Sequence, residues 1–378
     1  MNAFARAQVT AVLVVGIVGV LIPGLQPQLL GALAHEGRVS ASLLGYIATA
    51  ELLAMGIAAG AAGFFLPLTR LRPIAAIAIV LAAGFDLLTP HVGGATLVAT
   101  RFAAGLAEGA LIWIAIGFIV RTAHPGRWSG FYLMTQTLAQ FVLATLLGAV
   151  VVPASGSPGG FAALAAVTLA GLVALPWLPR AYAPLAKTGA NDVAIPMRGF
   201  IALAGVLVYL AFIVAVWVYV EPLGAQRGVD ARTIALVAPM SLAMQVLGAA
   251  CATILAGRLP ALPALVAIGI ANVALLAVMG APPNATAFLM ATSAFGFLWL
   301  FAMPFQVPAV IAADPTRRAA ALIGGAQLVG SSMGPFVAAM LIGEDDLGAV
   351  LWFGGICILI AILLLVIAAK SPRRAVPA

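Results

Sequence analysis

The chain has very little charge for its length. Only 11 of its 378 residues are acidic and 18 are basic, while 64% are hydrophobic. A soluble domain carries about 25% charged residues, because its surface must be covered by them. This shortage excludes a soluble globular protein. It predicts an all-α integral membrane protein embedded in a lipid bilayer.

Other kinds of chemistry are excluded by what is missing. Cys251 and Cys357 lie in separate apolar runs, so neither a disulfide framework nor a zinc site is expected. His35, His91 and His124 fall in separate loops, which argues against a membrane enzyme with a metal centre. The phosphate-loop motif Gly-xxxx-Gly-Lys-Ser/Thr does not occur, so ATP is not the expected energy source. We therefore expect no metal and no cofactor.

The basic residues are spread along the chain rather than clustered, which excludes nucleic-acid binding despite the net charge of +7. With a cytoplasmic N-terminus, fourteen of the eighteen fall in cytoplasmic segments and three fall outside. This bias places both termini in the cytoplasm and the protein in the inner membrane. The first apolar run is too long for a signal peptide, so it is predicted to be an uncleaved span. A monomer is expected.

Apolar runs of about 20 residues, separated by charged and Pro/Gly-rich breaks, predict the membrane spans. Residues 1–178 are predicted to form one six-helix bundle, residues 179–198 a cytoplasmic linker and residues 199–378 a second six-helix bundle. The twelve predicted spans are 9–31, 42–66, 73–89, 96–120, 130–152, 161–178, 200–220, 233–256, 261–280, 286–311, 319–342 and 348–369.

The two halves align with an offset of about 191 residues. Arg127 then falls on Arg318, just before spans five and eleven, and Gln136 falls on Gln327 within these spans. Hydropathy alone does not require polar residues at matching places, so the match indicates a duplication. Parallel six-helix repeats with a site between them are a known transporter plan.

Several motifs resemble those of the major facilitator superfamily over the whole length of the chain. Span four contains Arg101, Gly105 and Gly109 in the family's Arg-xxx-Gly-xxx-Gly pattern. Span eleven carries Gly330, Gly334 and Pro335, similar to bacterial efflux members. The resemblance implies a twelve-helix transporter in which the arginine of span four is tied to proton coupling.

The loop between spans two and three keeps part of another family motif. Gly63, Arg70 and Arg72 match it, and Pro67 stands where the family has an aspartate. The resemblance makes these three residues a gate or loop motif. The substitution by Pro67 argues against the family's usual ion pair at the inner gate.

Two carboxylates, Glu51 and Glu108, lie near the middle of apolar spans, where a charge costs about 2.5–3.5 kcal/mol on insertion scales. Arg101 and Glu108 are seven residues apart on one helix face, about 10 Å along the axis. Glu108, with Arg101 and Glu51 assisting, is predicted to couple transport to protons. The alternatives are a fixed ion pair for Glu108 and Arg101, and a protonated structural carboxyl for Glu51. Glu108 is preferred over Glu51.

Glu221 and Asp86 lie near the predicted outer ends of spans seven and three, where a carboxylate costs little. Both are interpreted as loop or gate residues rather than as substrate ligands. In span one, Pro23 and Pro27 are predicted to interrupt the helix beside Gln26, which would expose backbone groups for binding or for bending.

A substrate cavity is predicted from polar and aromatic residues within the spans, most of which share a helix face with another candidate, whereas Trp217 and Tyr219 lie on different faces. Packing between helices is the alternative interpretation for each of them. The candidates are Gln26, Gln136, Gln140, Trp217, Tyr219, Phe295, Trp299, Gln327 and Ser331.

The sequence predicts a secondary transporter that moves a small organic solute by alternating access, as proton-coupled efflux by antiport. The alternative is a proton-coupled importer of a sugar or an organic acid. The few charges in the cavity helices favour an apolar or amphipathic solute. A membrane enzyme and a transport-dead sensor are further alternatives, and no residue cluster or attached domain in the sequence supports them.

Overall fold

A computed structural model describes residues 5–122, 125–183, 195–255, 258–281, 284–314, 318–343 and 346–369. The described residues are helical, and no β-strand occurs among them. The α-helices are α1 Arg6–Val18, α2 Leu21–His35, α3 Ala41–Phe65, α4 Leu71–Leu88, α5 Gly94–Ile119, α6 Pro125–Leu146, α7 Val152–Ala170, α8 Met197–Gln226, α9 Ala231–Leu255, α10 Ala261–Gly280, α11 Ala285–Ala313, α12 Arg318–Ala321, α13 Ile323–Leu341 and α14 Gly348–Ala369.

The helices confirm a multi-pass membrane protein. Ten helical stretches in the described part of the chain are long and apolar enough to cross a membrane. One of them, Gly130–Trp177, contains a reversal at Gly156, whose φ of 62° and ψ of −161° are not helical, so it makes two passes. The 19-residue helix α13 occupies the eleventh predicted span, although it is not one of these ten stretches. The twelve predicted spans therefore each have a helix.

The first span is broken, but not where its prolines stand. Helix α1 ends at Val18 and α2 begins at Leu21, two residues before Pro23. A proline ring clashes with the carbonyl four residues earlier, here that of Gly19, so the distortion falls on the preceding turn. The prediction that the prolines interrupt this helix is correct in cause and wrong in position.

The packing pairs of the first six spans recur in the second six. Helix α3 packs on α5 as α9 packs on α11, and α4 packs on α7 as α10 packs on α14. Gly37 and Gly228, which are 191 residues apart, both have positive φ, 69° and 76°. Each ends its helix in the same turn, where Arg38 N bonds to Leu33 O and Val229 N bonds to Gly224 O.

These shared turns support the duplication that the sequence predicts. The side chains of Arg127 and Arg318 lie outside the described residues, as do residues 184–194 of the predicted linker. The division into two bundles at residues 179–198 therefore stays a prediction.

Helices of the two predicted halves meet at several places among the described residues, and three of these contacts are the most extensive. Helix α2 packs on α8, α3 packs on α13, and α6 packs on α9. We call the side of the membrane that carries the α2–α3 connection, residues 36–40, the distal side. It is opposite to the side where α1 begins.

Candidate functional site

Arg101 is the centre of a buried polar cluster on α5. Its Nη1 donates to Asp86 Oδ1 at 2.7 Å and to Thr89 Oγ1 at 3.1 Å. Its Nη2 forms an ion pair with Glu51 and lies 3.7 Å from Glu108 Oε1. The four charged side chains are at most 4% exposed. The structure therefore brings together the three residues predicted for proton coupling, and it adds Asp86.

Two glycines of α5 determine how closely the cluster is packed. A Cβ at Gly105 would overlap the backbone carbonyl oxygen of Glu51, and a Cβ at Gly109 would overlap that of Met55. Helix α3 can therefore lie directly against α5 only because these positions have no side chain. The Arg-xxx-Gly-xxx-Gly pattern thus supplies both the arginine and the close approach that places Glu51 beside it.

Arg101 is the only basic side chain that pairs with the three carboxyl groups in the part of the chain that the structure describes. The guanidinium carbon of Arg101 lies 5.6 Å from the centre of the Phe161 ring, which covers it from α7. No group of three or more His, Cys, Asp or Glu side chains in the described ranges is arranged to hold a metal ion. Arg101 itself is the cation of this site.

The cluster has more acids than bases. Arg101 lies within ion-pair distance of three carboxyl groups, those of Glu51, Asp86 and Glu108. If all three were ionised, two negative charges would remain uncompensated in a buried place, which costs several kcal/mol each. Protons are the smallest cations that remove such an excess.

Gln26 connects the cluster to the broken first span. Its Nε2 donates to Glu51 Oε2 at 3.4 Å, and it is fully buried. Glu108 Oε2 and Gln26 Oε1 have no hydrogen-bond partner among the described residues. Unpaired buried acceptors are costly, so these oxygens mark places where a proton or a water molecule would be stabilised.

Asp86 has different surroundings from those that the sequence predicts. The sequence places it near the membrane surface as a loop or gate residue, whereas it is 1% exposed and paired with Arg101. The sequence feature that could have indicated this pairing is the short α4–α5 connection, residues 89–93. A short connection makes the two helices antiparallel neighbours. The long side chain of Arg101 then reaches along α5 toward the end where Asp86 lies.

Glu51 also has a more central place than the sequence predicts. The sequence favours Glu108 over Glu51, but Glu51 makes the direct ion pair with Arg101, while Glu108 lies at 3.7 Å from the same nitrogen. Hydropathy does not reveal this difference, because it shows only depth along a helix, not which helix packs on which.

Two predicted cavity residues of α8 join the predicted halves. Trp217 Nε1 donates to Pro23 O at 2.8 Å, and the Tyr219 hydroxyl donates to Ala41 O at 3.0 Å. The Pro23 carbonyl is free to accept because Pro27, four residues later, has no N–H. The proline pair in the first span thus creates the acceptor for the other half.

The polar stripe of α6 also contacts the first span. Tyr132 donates to Gly16 O at 2.8 Å, and Gln140 donates to Val20 O at 2.6 Å. The Val20 carbonyl lies at the break between α1 and α2, and the Gly16 carbonyl lies in the last turn of α1. Gln136, between the two donors on this stripe, is half-buried. This geometry favours the packing interpretation for Gln140, and the cavity prediction for Gln136 stays open.

The cavity candidates of the second half lie among aromatic side chains. Phe295 is buried against Phe212 with ring centroids 5.7 Å apart, and Trp299 meets Trp217 at 5.8 Å. These contacts place Trp299 beside the indole that reaches Pro23. Phe295 lies within the packed core of its half.

Polar candidates of α13 are only partly buried. Gln327 donates to Gln306 Oε1 at 2.9 Å. Gln327 and Ser331 are half-buried, one turn apart on α13. Their place in a substrate cavity stays a prediction.

The predicted gate residues lie at opposite sides of the membrane. Arg72 Nε donates to Leu178 O at 2.7 Å, which ties the α3–α4 loop to the end of the sixth span. Gly63 and Arg70 are exposed on the same side. Glu221 is on the distal side, where it is buried in α8 rather than exposed in a loop.

Comparisons with known proteins confirm the fold. No family model and no curated protein sequence matches the chain. It is similar in structure to a point mutant of the nucleoside transporter NupG, with a TM-score of 0.70, 12% identity, and coverage of 96% of this chain and 100% of that one. It is also similar to a D-xylose-proton symporter, with a TM-score of 0.69, 14% identity, and coverage of 96% of each chain.

Both solved structures have the twelve-helix fold of the major facilitator superfamily, and this chain has that fold. The predicted resemblance is thus confirmed at the level of the fold. Both are transporters rather than enzymes.

Proposed function

We propose that this chain is a secondary transporter that moves a small organic solute by alternating access and is coupled to protons at the Arg101 cluster. Glu108 and Glu51 are the proposed proton carriers, with Asp86 as a third carboxyl group. Arg101 holds them together and keeps at least one of them ionised. The predicted twelve-helix architecture in two bundles provides the two bodies that move.

The observation that carries this proposal is the excess of acid. One guanidinium faces three carboxyl groups in a buried site, so electroneutrality is reached when two protons are bound. A purely structural ion pair needs one carboxylate and gains nothing from two more, because like charges repel in a low dielectric. Buried carboxyl groups in membrane spans are typical of proton relays.

A physical connection runs from the cluster to the contact between the halves. Glu51 bonds to Gln26, and Pro23, one turn earlier on α2, accepts the indole N–H of Trp217. We propose that rearrangement of α2, when the halves separate, changes the contacts of Glu51. The same conformational change would then alter both the binding of protons at the cluster and the side of the membrane to which the solute cavity opens.

For the solute we propose a cavity between the bundles near Trp217, Trp299, Gln327 and Ser331. Trp299 and Gln327 supply an aromatic face and an amide on the second half. The orientation with both termini in the cytoplasm of the inner membrane follows from the bias of Lys and Arg.

The proposed direction is efflux in exchange for protons, on the likeness of α13 to bacterial efflux proteins. The alternative is import with protons, which the structural likeness to a D-xylose-proton symporter favours. The two differ in the sign of proton movement when solute is added, so one measurement separates them.

The protonation state can be tested without knowing the solute. Infrared spectroscopy of the purified chain is expected to show a protonated carboxyl band at neutral pH that weakens in Glu108→Gln. Glu36→Gln, which removes a carboxyl group outside the cluster, is the matched control and is expected to leave the band unchanged. An unaltered band in Glu108→Gln would show that Glu108 carries no proton.

Coupling can be tested in proteoliposomes loaded with a pH-sensitive dye. Phenyltrimethylammonium, D-xylose and uridine are added in turn, with protein-free liposomes as the blank. Antiport predicts a rise in internal pH on solute addition, and symport predicts a fall. Either signal is expected to disappear in Glu108→Gln while solute exchange continues. If Glu108→Gln retained full proton movement, the proposed role of this residue would be refuted.

A further inference from the structure

A second candidate site lies on the distal side, away from the Arg101 cluster. It is a cavity of about 760 Å³ between α2, the turn that joins α6 to α7, α8 and α9. Its size falls in the range of about 300–1,000 Å³ that is typical of small-molecule sites. Both predicted halves contribute walls, so a ligand there would contact both bodies.

Two hydrogen-bond acceptors line this cavity without a donor. Glu221 is 8% exposed and Gln28 is 4% exposed. Glu221 Oε1 and Gln28 Oε1 have no partner among the described residues. The amide of Gln28 is fixed in orientation because its Nε2 donates to Ala144 O at 3.1 Å. A ligand with hydrogen-bond donors can therefore pair with these two oxygens.

The rest of the wall supplies no compensating positive side chain. The described lining contains neither lysine nor arginine, and most of it is aliphatic, including Val152, Val229 and Ile234. Glu36 is also on the wall, but it already accepts from Ser157 and pairs with Arg38 at 2.9 Å. His35, at the end of α2, is exposed. Glu221 is the buried carboxylate that a cation would meet.

We propose that this cavity is a binding site for an amphipathic organic ammonium ion. The N–H donors of the ligand bond to Glu221 and Gln28, and its apolar part lies against the aliphatic wall. A charged donor gives shorter and stronger hydrogen bonds to a carboxylate than a neutral one does. A neutral solute of the same shape supplies no positive charge that would stabilise the ionised form of the buried Glu221 carboxyl group.

This site lies in a different place from the proton-coupling site. It also differs from the solute cavity proposed near Trp217 and Trp299, so the inference concerns binding at this site and does not require that the ammonium ion is the transported solute. Binding itself can be measured with no gradient and no transport. If the ligand does not bind while Glu108 still governs proton movement, the inference fails and the proposed function stands.

The test measures binding of 2-phenylethylamine to the full-length chain in lipid nanodiscs by calorimetry at neutral pH. The neutral analogue 2-phenylethanol is measured in parallel. We expect the amine to bind at least about tenfold more tightly than the alcohol, since only the amine supplies a charge-assisted bond. Glu221→Gln is expected to remove this preference and to leave binding of the alcohol unchanged.

Glu36→Gln is the matched control, because it removes a carboxylate from the same wall that is already occupied by protein donors. Its affinity for the amine is expected to stay within about twofold of wild type, since no ligand contact is lost. Equal affinity of the wild type for the amine and the alcohol, or full retention of the amine preference in Glu221→Gln, would overturn the inference.

A second measurement does not depend on the folding of a Glu221 variant. Ala225, which lines the cavity on α8, is replaced by cysteine in a chain that also carries Cys251→Ala and Cys357→Ala. A maleimide that cannot cross the membrane should label the introduced cysteine, and 2-phenylethylamine should slow the labelling while 2-phenylethanol does not. Labelling at the same rate with and without the amine would contradict the proposed location.

Discussion

The helix pairs α3–α5 and α9–α11 have the same close backbone approach at their crossing but different side chains beside it. In the first pair a Cβ at Gly105 would overlap the carbonyl of Glu51, and in the second a Cβ at Gly296 would overlap that of Ser241. The two glycines are 191 residues apart. Both crossings therefore depend on a missing side chain that lets two helix backbones touch.

Among the described residues, buried charges are found in only one of the two pairs. At the same offset, Arg101 corresponds to Thr292 and Glu108 to Trp299. Thr292 is buried, and its hydroxyl donates within its own helix, to Leu289 O at 3.0 Å. The two crossings thus share their close backbone approach and differ in their side chains, with charge in the first predicted half and aromatic surface in the second.

The largest difference between the two pairs should appear when their central residues are removed. Arg101→Met leaves three carboxyl groups without their cation, and loss of one partner from a buried pair costs about 3–5 kcal/mol. We expect a much lower yield of monodisperse protein and a lower thermal-unfolding midpoint.

Thr292→Val is the control for Arg101→Met in the second half. It removes one hydroxyl hydrogen bond, worth about 1 kcal/mol. Equal unfolding midpoints for the two variants would show that the Arg101 cluster adds no more to stability than its neutral counterpart.

The crossings themselves can be loosened in both halves. Gly105→Ala and Gly296→Ala each place a methyl group against a backbone carbonyl, and such overpacking costs about 1–3 kcal/mol. We expect similar falls in the unfolding midpoint. Proton movement in proteoliposomes should fall only in Gly105→Ala, because only there does the shift move Glu51 away from Arg101. Similar proton movement in the two variants would contradict this assignment.

The link between the halves is expected to have a smaller effect. Trp217→Phe keeps the aromatic packing on Trp299 but removes the N–H that donates to Pro23. Losing one such bond, about 1 kcal/mol, should shift the balance between the two access states about fivefold. Accessibility of the introduced cysteine at Ala225 to a maleimide measures this shift, and Tyr132→Phe, which removes a bond within the first half, should leave it unchanged.

The smallest effect concerns Glu36, on the distal connection outside the spans. Burial raises the pKa of Glu36, but hydrogen bonds from Ser157 and the charge of Arg38 together outweigh it and lower the pKa. Because the pKa of Glu36 is lowered in the folded state, its ionised form stabilises the fold at pH values above the usual pKa of a carboxyl group. This stabilisation is lost as the pH falls through the lowered pKa. The unfolding midpoint of wild type should thus exceed that of Glu36→Gln at neutral pH, and the two should converge in acid. A difference that persists in acid would rule out this origin.

Much of the fold was predictable because span length and loop charge are properties of the sequence itself. The bilayer requires about 20 apolar residues per pass, so the composition predicts the twelve spans. The depth of Glu51, Glu108 and Arg101 follows from the same count. The break of the first span is predicted from Pro23 and Pro27, but its position at Gly19 depends on the clash with the preceding turn.

Only the tertiary structure decided which carboxyl groups pair with Arg101. Asp86 joins Arg101 because α4 and α5 are adjacent, and Glu51 joins it because Gly105 admits α3. The cavity that contains Glu221 exists only where four helices of both halves meet. The sequence therefore determined that charges lie inside the membrane and at what depth, since hydropathy acts along one helix. Which charges face one another depends on contacts between helices, and no local pattern encodes these.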